Sequence, residues 1–200
     1  MLVVGPFQRG GIHSYIEEQI ARLEGRVLVR AHDSGAPPMG TGRLRFLRGI
    51  LLGLAALSRF VVRSPPDLLH VHTSHWYAFY RASIYVTFAK YVWGVPVVLH
   101  VHGSGFEDFV NTRFRAVRAL QRHVFDSCDQ ILVLSESWKE IVSVRADSGK
   151  IRVIHNAVDP DTFPSDVTGH PAHIVFVSNL IERKGVDELA SAVERLARRR

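Results

Sequence analysis

Two histidine pairs are the residues best suited to do chemistry. His70 and His72, and again His100 and His102, are separated by one residue at the end of an apolar run. Residues two apart on a strand project to the same side, so the members of each pair can converge. Four imidazoles near one edge suggest zinc, but no cysteine and no placed carboxylate completes a ligand set, so hydrogen bonding is the stronger expectation. One histidine of each pair is expected to face a cleft. His102 is the best placed, because the glycine-bearing loop Gly103-Ser-Gly-Phe-Glu107 follows it. Glu107 and Asp108 in that loop could accept hydrogen bonds from ligand hydroxyls, or stand as solvated charges.

A second candidate is Gly5-Pro-Phe-Gln-Arg-Gly10-Gly11, which leads straight into a helical pattern. Two glycines at a helix N-terminus let a diphosphate reach backbone N–H groups and the positive end of the dipole. The spacing imitates a phosphate-binding P-loop, but Gly11-Ile12 stands where Lys-Ser or Lys-Thr is required. A dinucleotide fingerprint is absent as well. Asp159-Pro-Asp161 has the form of a metal-binding D-x-D, in a stretch that reads as a linker, and coincidence explains it better. The single cysteine, Cys128, has no catalytic context and permits no internal disulfide, which fits a reducing compartment.

These residues need a scaffold, and the hydrophobic pattern supplies one. Short apolar runs at Leu2–Gly5, Val27–Ala31, Leu68–His72, Val97–His102, Gln130–Leu134 and Ile151–His155 alternate with longer helical patterns. That alternation predicts an α/β fold, a parallel sheet wrapped by helices on both faces. Ile12, Tyr15, Ile16, Ile20 and Leu23 form the apolar stripe of a first helix. Further helices are expected from a Ser74 cap to Trp93, over Thr112–Asp126 and over Glu136–Val144. In such sheets ligands bind outside the carboxyl ends of the strands, where the histidine pairs, Gly10-Gly11, Ser135 and Asn156 fall.

After His155 the character changes. Residues 1–155 form one domain, and 156–172, with Pro160, Pro164, Gly169 and Pro171, read as a linker. Residues 173–200 then offer one strand, His173–Val177, and a helix from about Val186. One strand and one helix cannot bury a core, so this unit is expected to be the start of a second domain cut short.

Composition narrows the partners. The formal charge is +6 and the pI about 9.9, which favours an anionic partner without choosing among nucleic acid, acidic lipid and phosphorylated substrate. Only four of the 25 basic residues are lysines, and arginine's planar fork suits phosphate. The start of the chain is expected to carry no secretory leader, and no run approaches the roughly 20 apolar residues that span a bilayer. Arg115, Arg118 and Arg122 share a helical face. Arg43, Arg45, Arg48, Arg59 and Arg63 flank Phe46, Leu47, Ile50, Leu51, Leu52 and Leu54. A helix of that kind can lie on an anionic membrane. Packing on the sheet, with arginines snorkelling to water, is the expectation for most of its length.

Taken in order, these segments resemble the GT-B glycosyltransferases of family 4. The resemblance is carried by Gly10-Gly-Ile-His13, Asp67-Leu-Leu-His-Val-His72 and Gly94-Val-Pro-Val-Val-Leu-His-Val-His-Gly103. It continues through Ile131-Leu-Val-Leu-Ser-Glu-Ser137, Ile151-Arg-Val-Ile-His-Asn-Ala-Val-Asp159 with Phe163, and Ile174 to Leu189. It implies an acceptor-side Rossmann-like domain followed by a domain that holds a nucleotide-sugar. It implies that Gly10 and Gly11, with Ser178, Asn179, Arg183 and Lys184, border the donor diphosphate. His102 would reach the transferred sugar, and Lys184 would neutralise the departing phosphates. His13, His72, Gly103 and Glu107 would face the acceptor, a glycan, polysaccharide or lipid-linked molecule. The implied reaction is cytoplasmic, retains anomeric configuration and needs no metal or other cofactor.

Three departures qualify the match. Ser178-Asn179 stands where relatives often have Gly-Arg, and His155-Asn-Ala157 where they often have Pro-Asn-Gly. No two glutamates have seven residues between them, so the donor-binding E-x7-E is missing, and the chain by itself is expected to be inactive. Two other readings stay open at this point. One is a non-catalytic α/β module that binds an anionic sugar or a membrane face; the other is a metal-dependent hydrolase built on the histidine pairs.

Overall fold

A computed structural model describes residues 1–7, 10–35, 43–103, 105–157, 174–178, 180 and 182–198, with the side chains of residues 43–46 and 183 left aside. The chain divides into two compact units, Met1–Ala157 and Val158–Arg200. The first is built on a six-stranded, wholly parallel sheet. Its strands are β1 (Leu2–Gly5), β2 (Arg30–Asp33), β3 (Leu69–Thr73), β4 (Val97–Val101), β5 (Gln130–Val133) and β6 (Ile151–Val153), in spatial order β2-β1-β3-β4-β5-β6. The helices are α1 (Gly11–Leu23), α2 (Arg43–Val61), α3 (Tyr77–Phe88), α4 (Phe106–Val110), α5 (Arg115–Ser127) and α6 (Glu136–Ser143).

The two sides of the sheet differ in chemistry. Leu2, Val4, Leu69, Val71, Val97, Leu99, Val101, Ile131, Val133 and Ile151 belong to one apolar core with Phe79, Tyr85, Val124 and Phe125. Because strand side chains alternate, His70, His72 and His100 project to the opposite side. There α1 covers them with Tyr15 and Gln19, while Ile16 of the same helix is fully buried. One sheet therefore carries an apolar face and a buried imidazole face.

Several boundaries move from where the sequence puts them. β2 lies three residues later than Val27–Ala31, and Val27 and Leu28 are exposed. An edge strand takes its place from backbone pairing, here Leu2 with Arg30 through Gly5 with Asp33, so its apolar content is a poor guide. α3 starts at Tyr77, with Trp76 rather than Ser74 at its N-cap, and its last turn widens into a π-helix at Ala89–Trp93 that Gly94 ends in the left-handed region. Ser135 caps α6 by accepting a hydrogen bond from the Trp138 N–H at 3.3 Å.

In the second unit a helix, α7 (Val186–Ala197), follows a 3-10 turn at Glu182–Lys184. Ile174–Val177, expected as a strand with His173, forms none, and no neighbouring strand among the described residues offers it a ladder. His173, the linker residues 158–172 and Asp159-Pro-Asp161 lie outside the described residues.

Candidate functional site

The register of β3 against β4 makes the site. His72 stands directly opposite His100, and His70 opposite Val98, while the His102 N–H donates to the Thr73 carbonyl at 2.8 Å. Both pairs therefore join a single cluster. Ring centroids lie 4.5 Å apart for His70 and His72, 5.2 Å for His72 and His102, and 4.2 Å for His100 and His102. All four are buried, His102 being 5% exposed and His100 fully enclosed.

Hydrogen bonds thread the cluster. Gln19 of α1 bridges two rings, its amide nitrogen 3.0 Å from His70 Nδ1 and its carbonyl oxygen 3.0 Å from His72 Nε2. His72 Nδ1 in turn lies 3.0 Å from His102 Nε2. Among the described residues, His70 Nε2 and both nitrogens of His100 are buried without a hydrogen-bond partner. Burial removes water from the imidazoles and disfavours their charged form. It lowers His70 and His102 to about 4 and His100 to about 2, and His72 falls well below its usual range as well. The neighbouring rings reinforce the shift for His70, His72 and His100. At neutral pH the cluster carries no charge.

Neutral histidines are potential metal ligands, and the ligand atoms of His70, His72 and His100 lie within 4.8 Å of one another. Tetrahedral zinc would need nitrogens about 3.4 Å apart with convergent lone pairs. The planes of His70 and His72 differ by only 18°, and those of His70 and His100 by 16°, so their lone pairs run side by side. Coordination would require turning the rings and breaking the bonds to Gln19.

The mouth above the cluster is shaped by glycines. Gly103 has φ +93, and a Cβ there would come 3.2 Å from Ser74 Cβ. A Cβ on Gly105 would meet the His75 ring at 3.0 Å. The loops after β3 and β4 thus close on each other through positions where a side chain would crowd its neighbour. Gly10 precedes α1 in extended conformation, and a Cβ on Gly11 would meet no atom of the described residues within 4 Å.

The chain belongs to glycosyltransferase family 4. The model of that family, Glycosyltransferase Family 4, matches residues 9–162, which contain the whole imidazole cluster, α1 and the glycine-shaped mouth. No curated protein matches the chain. The six-stranded parallel sheet flanked by helices is consistent with a Rossmann-like GT-B domain, and the membership supports a glycosyltransferase-like function.

Placement of the expected site residues is uneven within this family 4 domain. His102, Gly103, Gly10 and Gly11 lie at the carboxyl ends of strands or the loops that follow them. His72 lies beneath His102 and Gln19, fully packed. His13 turns to Glu17, with Nδ1 3.0 Å from the carboxylate, and to the ring of Phe7. Glu107 is exposed on α4, a helix that the loop reading did not anticipate and that Phe106 and Phe109 anchor in the core. Ser178 and Lys184 are exposed in the second unit; Asn179 and the Arg183 side chain lie outside the description. Sequence reasoning missed Gln19. Its signal was a polar residue four positions after Tyr15, on the apolar side of an amphipathic helix.

Proposed function

We propose that this domain forms the acceptor side of a glycosyltransferase that moves a sugar from a nucleotide-sugar to a glycan, polysaccharide or lipid-linked acceptor. The reaction proceeds with retention and without a metal ion. The arrangement at the carboxyl end of β4 supports this most: a buried, neutral His102 beside a glycine mouth, in a chain of this family. Cleaving the donor builds negative charge on the leaving diphosphate. Backbone N–H groups at Gly10 and Gly11, at the start of α1, are suited to receive it. His102, held neutral, bonds a hydroxyl of the transferred sugar rather than competing for the diphosphate. Glu107 and Gly103 lie on the acceptor side.

The face of α2 supports contact with an anionic membrane. Among the described side chains of α2, Gly49, Ala56 and Phe60 are buried, whereas Leu47, Leu51 and Leu54 are 54%, 65% and 57% exposed beside Arg48, Arg59 and Arg63. The leucines therefore do not pack on the sheet as the sequence suggested. No helix among the described residues is long and apolar enough to cross a membrane, so the contact would be peripheral.

The test is a titration of the isotopically labelled chain with uridine and guanosine diphosphate sugars, followed by amide and imidazole shifts. Changes confined to Gly10, Gly11, His102 and Gly103 are expected, together with release of sugar or nucleotide if catalysis occurs. Shifts scattered over the surface rather than gathered at these four residues would reject the assignment. Flotation on vesicles of anionic lipid tests the membrane face, and loss of binding in Leu51→Asp/Leu54→Asp is expected.

A further inference from the structure

The two hydrogen bonds of Gln19 and the one between His72 and His102 fix more than position. A carboxamide nitrogen can only donate and its oxygen can only accept. Gln19 Nε2 therefore donates to His70 Nδ1, and Gln19 Oε1 accepts from the N–H on His72 Nε2. A neutral imidazole has one N–H, so His72 is left with a lone pair on Nδ1. The group facing that lone pair is His102 Nε2, at 3.0 Å, which must supply the proton. His102 then carries its lone pair on Nδ1.

We infer that Gln19 is a positioning residue that, through His72, locks His102 as the Nε2–H tautomer, so that its Nδ1 accepts a hydrogen bond from a substrate hydroxyl and cannot donate one. Resting on the reading that His102 meets the transferred sugar, this specifies the bond: the sugar hydroxyl donates and the enzyme accepts. It also explains a polar side chain on the sheet-facing side of α1. An apolar residue at position 19 would leave His70 Nδ1 and His72 Nε2 buried without partners and release the tautomer of His102 to chance.

Proton–nitrogen correlation spectra of the histidine rings in the 200-residue chain, recorded near pH 8 where ordinary imidazoles are neutral, test the relay without any sugar present. In the unmodified chain His70, His72 and His102 should each show a single tautomer with the proton on Nε2. In Gln19→Met the minor tautomer of His102 should rise from undetectable to a resolved fraction. Gln19→Glu provides the control. A carboxylate only accepts, so His72 and His102 should keep their tautomers while His70 moves its proton to Nδ1. A proton on His102 Nδ1 in the unmodified chain, or an unaltered His102 in folded Gln19→Met, would overturn the inference. If Gln19→Met does not fold, Gln19→Glu decides, since an unmoved His70 proton would equally refute it. A nucleotide-sugar that leaves Nδ1 of a correctly locked His102 unmoved would instead reject the function assigned to His102 and leave the relay standing.

Discussion

Tyr15 stands edge-on to His100, with ring centroids 4.9 Å apart and planes at 88°. The same ring lies 5.2 Å from His102 and 5.8 Å from His72, so one tyrosine of α1 seals three of the four imidazoles. This places a partly buried aromatic ring over the part of the sheet where the imidazoles gather. Tyr15→Ala should lower stability by about 2–3 kcal/mol, from lost ring contacts and the opening left above the cluster. Tyr15→Phe keeps the ring and should cost less than about 1 kcal/mol. Urea unfolding of both variants checks the difference, and equal losses would assign the effect to the hydroxyl instead.

The buried imidazoles give acid sensitivity a definite sign. Their folded pKa values lie below the unfolded value of about 6.5, so below that pH the unfolded chain binds more protons than the folded one. The stability contributed by neutral histidines is complete above about pH 6.5 and is lost as pH falls toward 4. His70 and His102, at about 4, and His32, at about 4 beside Arg63 and Arg59, all act in this window. Each can steepen the loss by up to about 1.4 kcal/mol per pH unit. Neither nitrogen of His100 has a hydrogen-bond partner among the described residues, so His100→Leu should be close to neutral at pH 7 and should flatten the acid limb. Unfolding midpoints measured across this range would contradict the account if stability were flat or rose on acidification.

Much of this architecture was legible because parallel strands buried on both sides write themselves as apolar runs. β1, β3, β4, β5 and β6 fall where Leu2, Leu69, Val97, Gln130 and Ile151 lead one to expect. β2 does not, because an edge strand of Arg30-Ala-His-Asp33 is defined by its pairing with β1 and only His32 of it is buried. α4 escaped notice because five residues are too few for a helical period to show. The two histidine pairs were visible as same-side residues. Their union was not, since it depends on the register that sets His72 against His100, and no local pattern encodes a register between strands some 30 residues apart. Gln19 was hidden for the same reason, at separations of 51 and 53 residues from its partners.

Gly103 is expected to tolerate nothing larger. Its φ of +93 is strained for any L-residue, and a methyl group there would press on Ser74 Cβ at 3.2 Å. Gly103→Ala should cost about 1–3 kcal/mol. It should also displace the loop that follows His102, whereas Gly11→Ala, at the start of α1, should leave stability within about 1 kcal/mol. Thermal unfolding of the two variants side by side separates a site shaped by close approach from one that is merely flexible, and similar midpoints would refute the distinction.

Cys128 supplies a probe of the core that does not touch the site. It is 1% exposed, its thiol donates to the Val124 carbonyl at 3.1 Å, and burial pushes its pKa up to about 12. The thiolate is the reactive form, so the native protein should resist aromatic disulfide reagents at neutral pH. Modification should then proceed only through opening of the α5–β5 junction, where Cys128 sits between Ser127 and Asp129. Asp129 ties that junction to the π-helical turn by accepting from Lys90 Nζ at 2.9 Å and to β4 by accepting from the Val97 N–H at 2.9 Å. Asp129→Asn weakens the first of these bonds by removing its charge. Labelling should therefore accelerate severalfold in Asp129→Asn while the histidine tautomers stay as they are. Rapid labelling of the unmodified chain would show that the junction is open in the native state, contrary to the packing described.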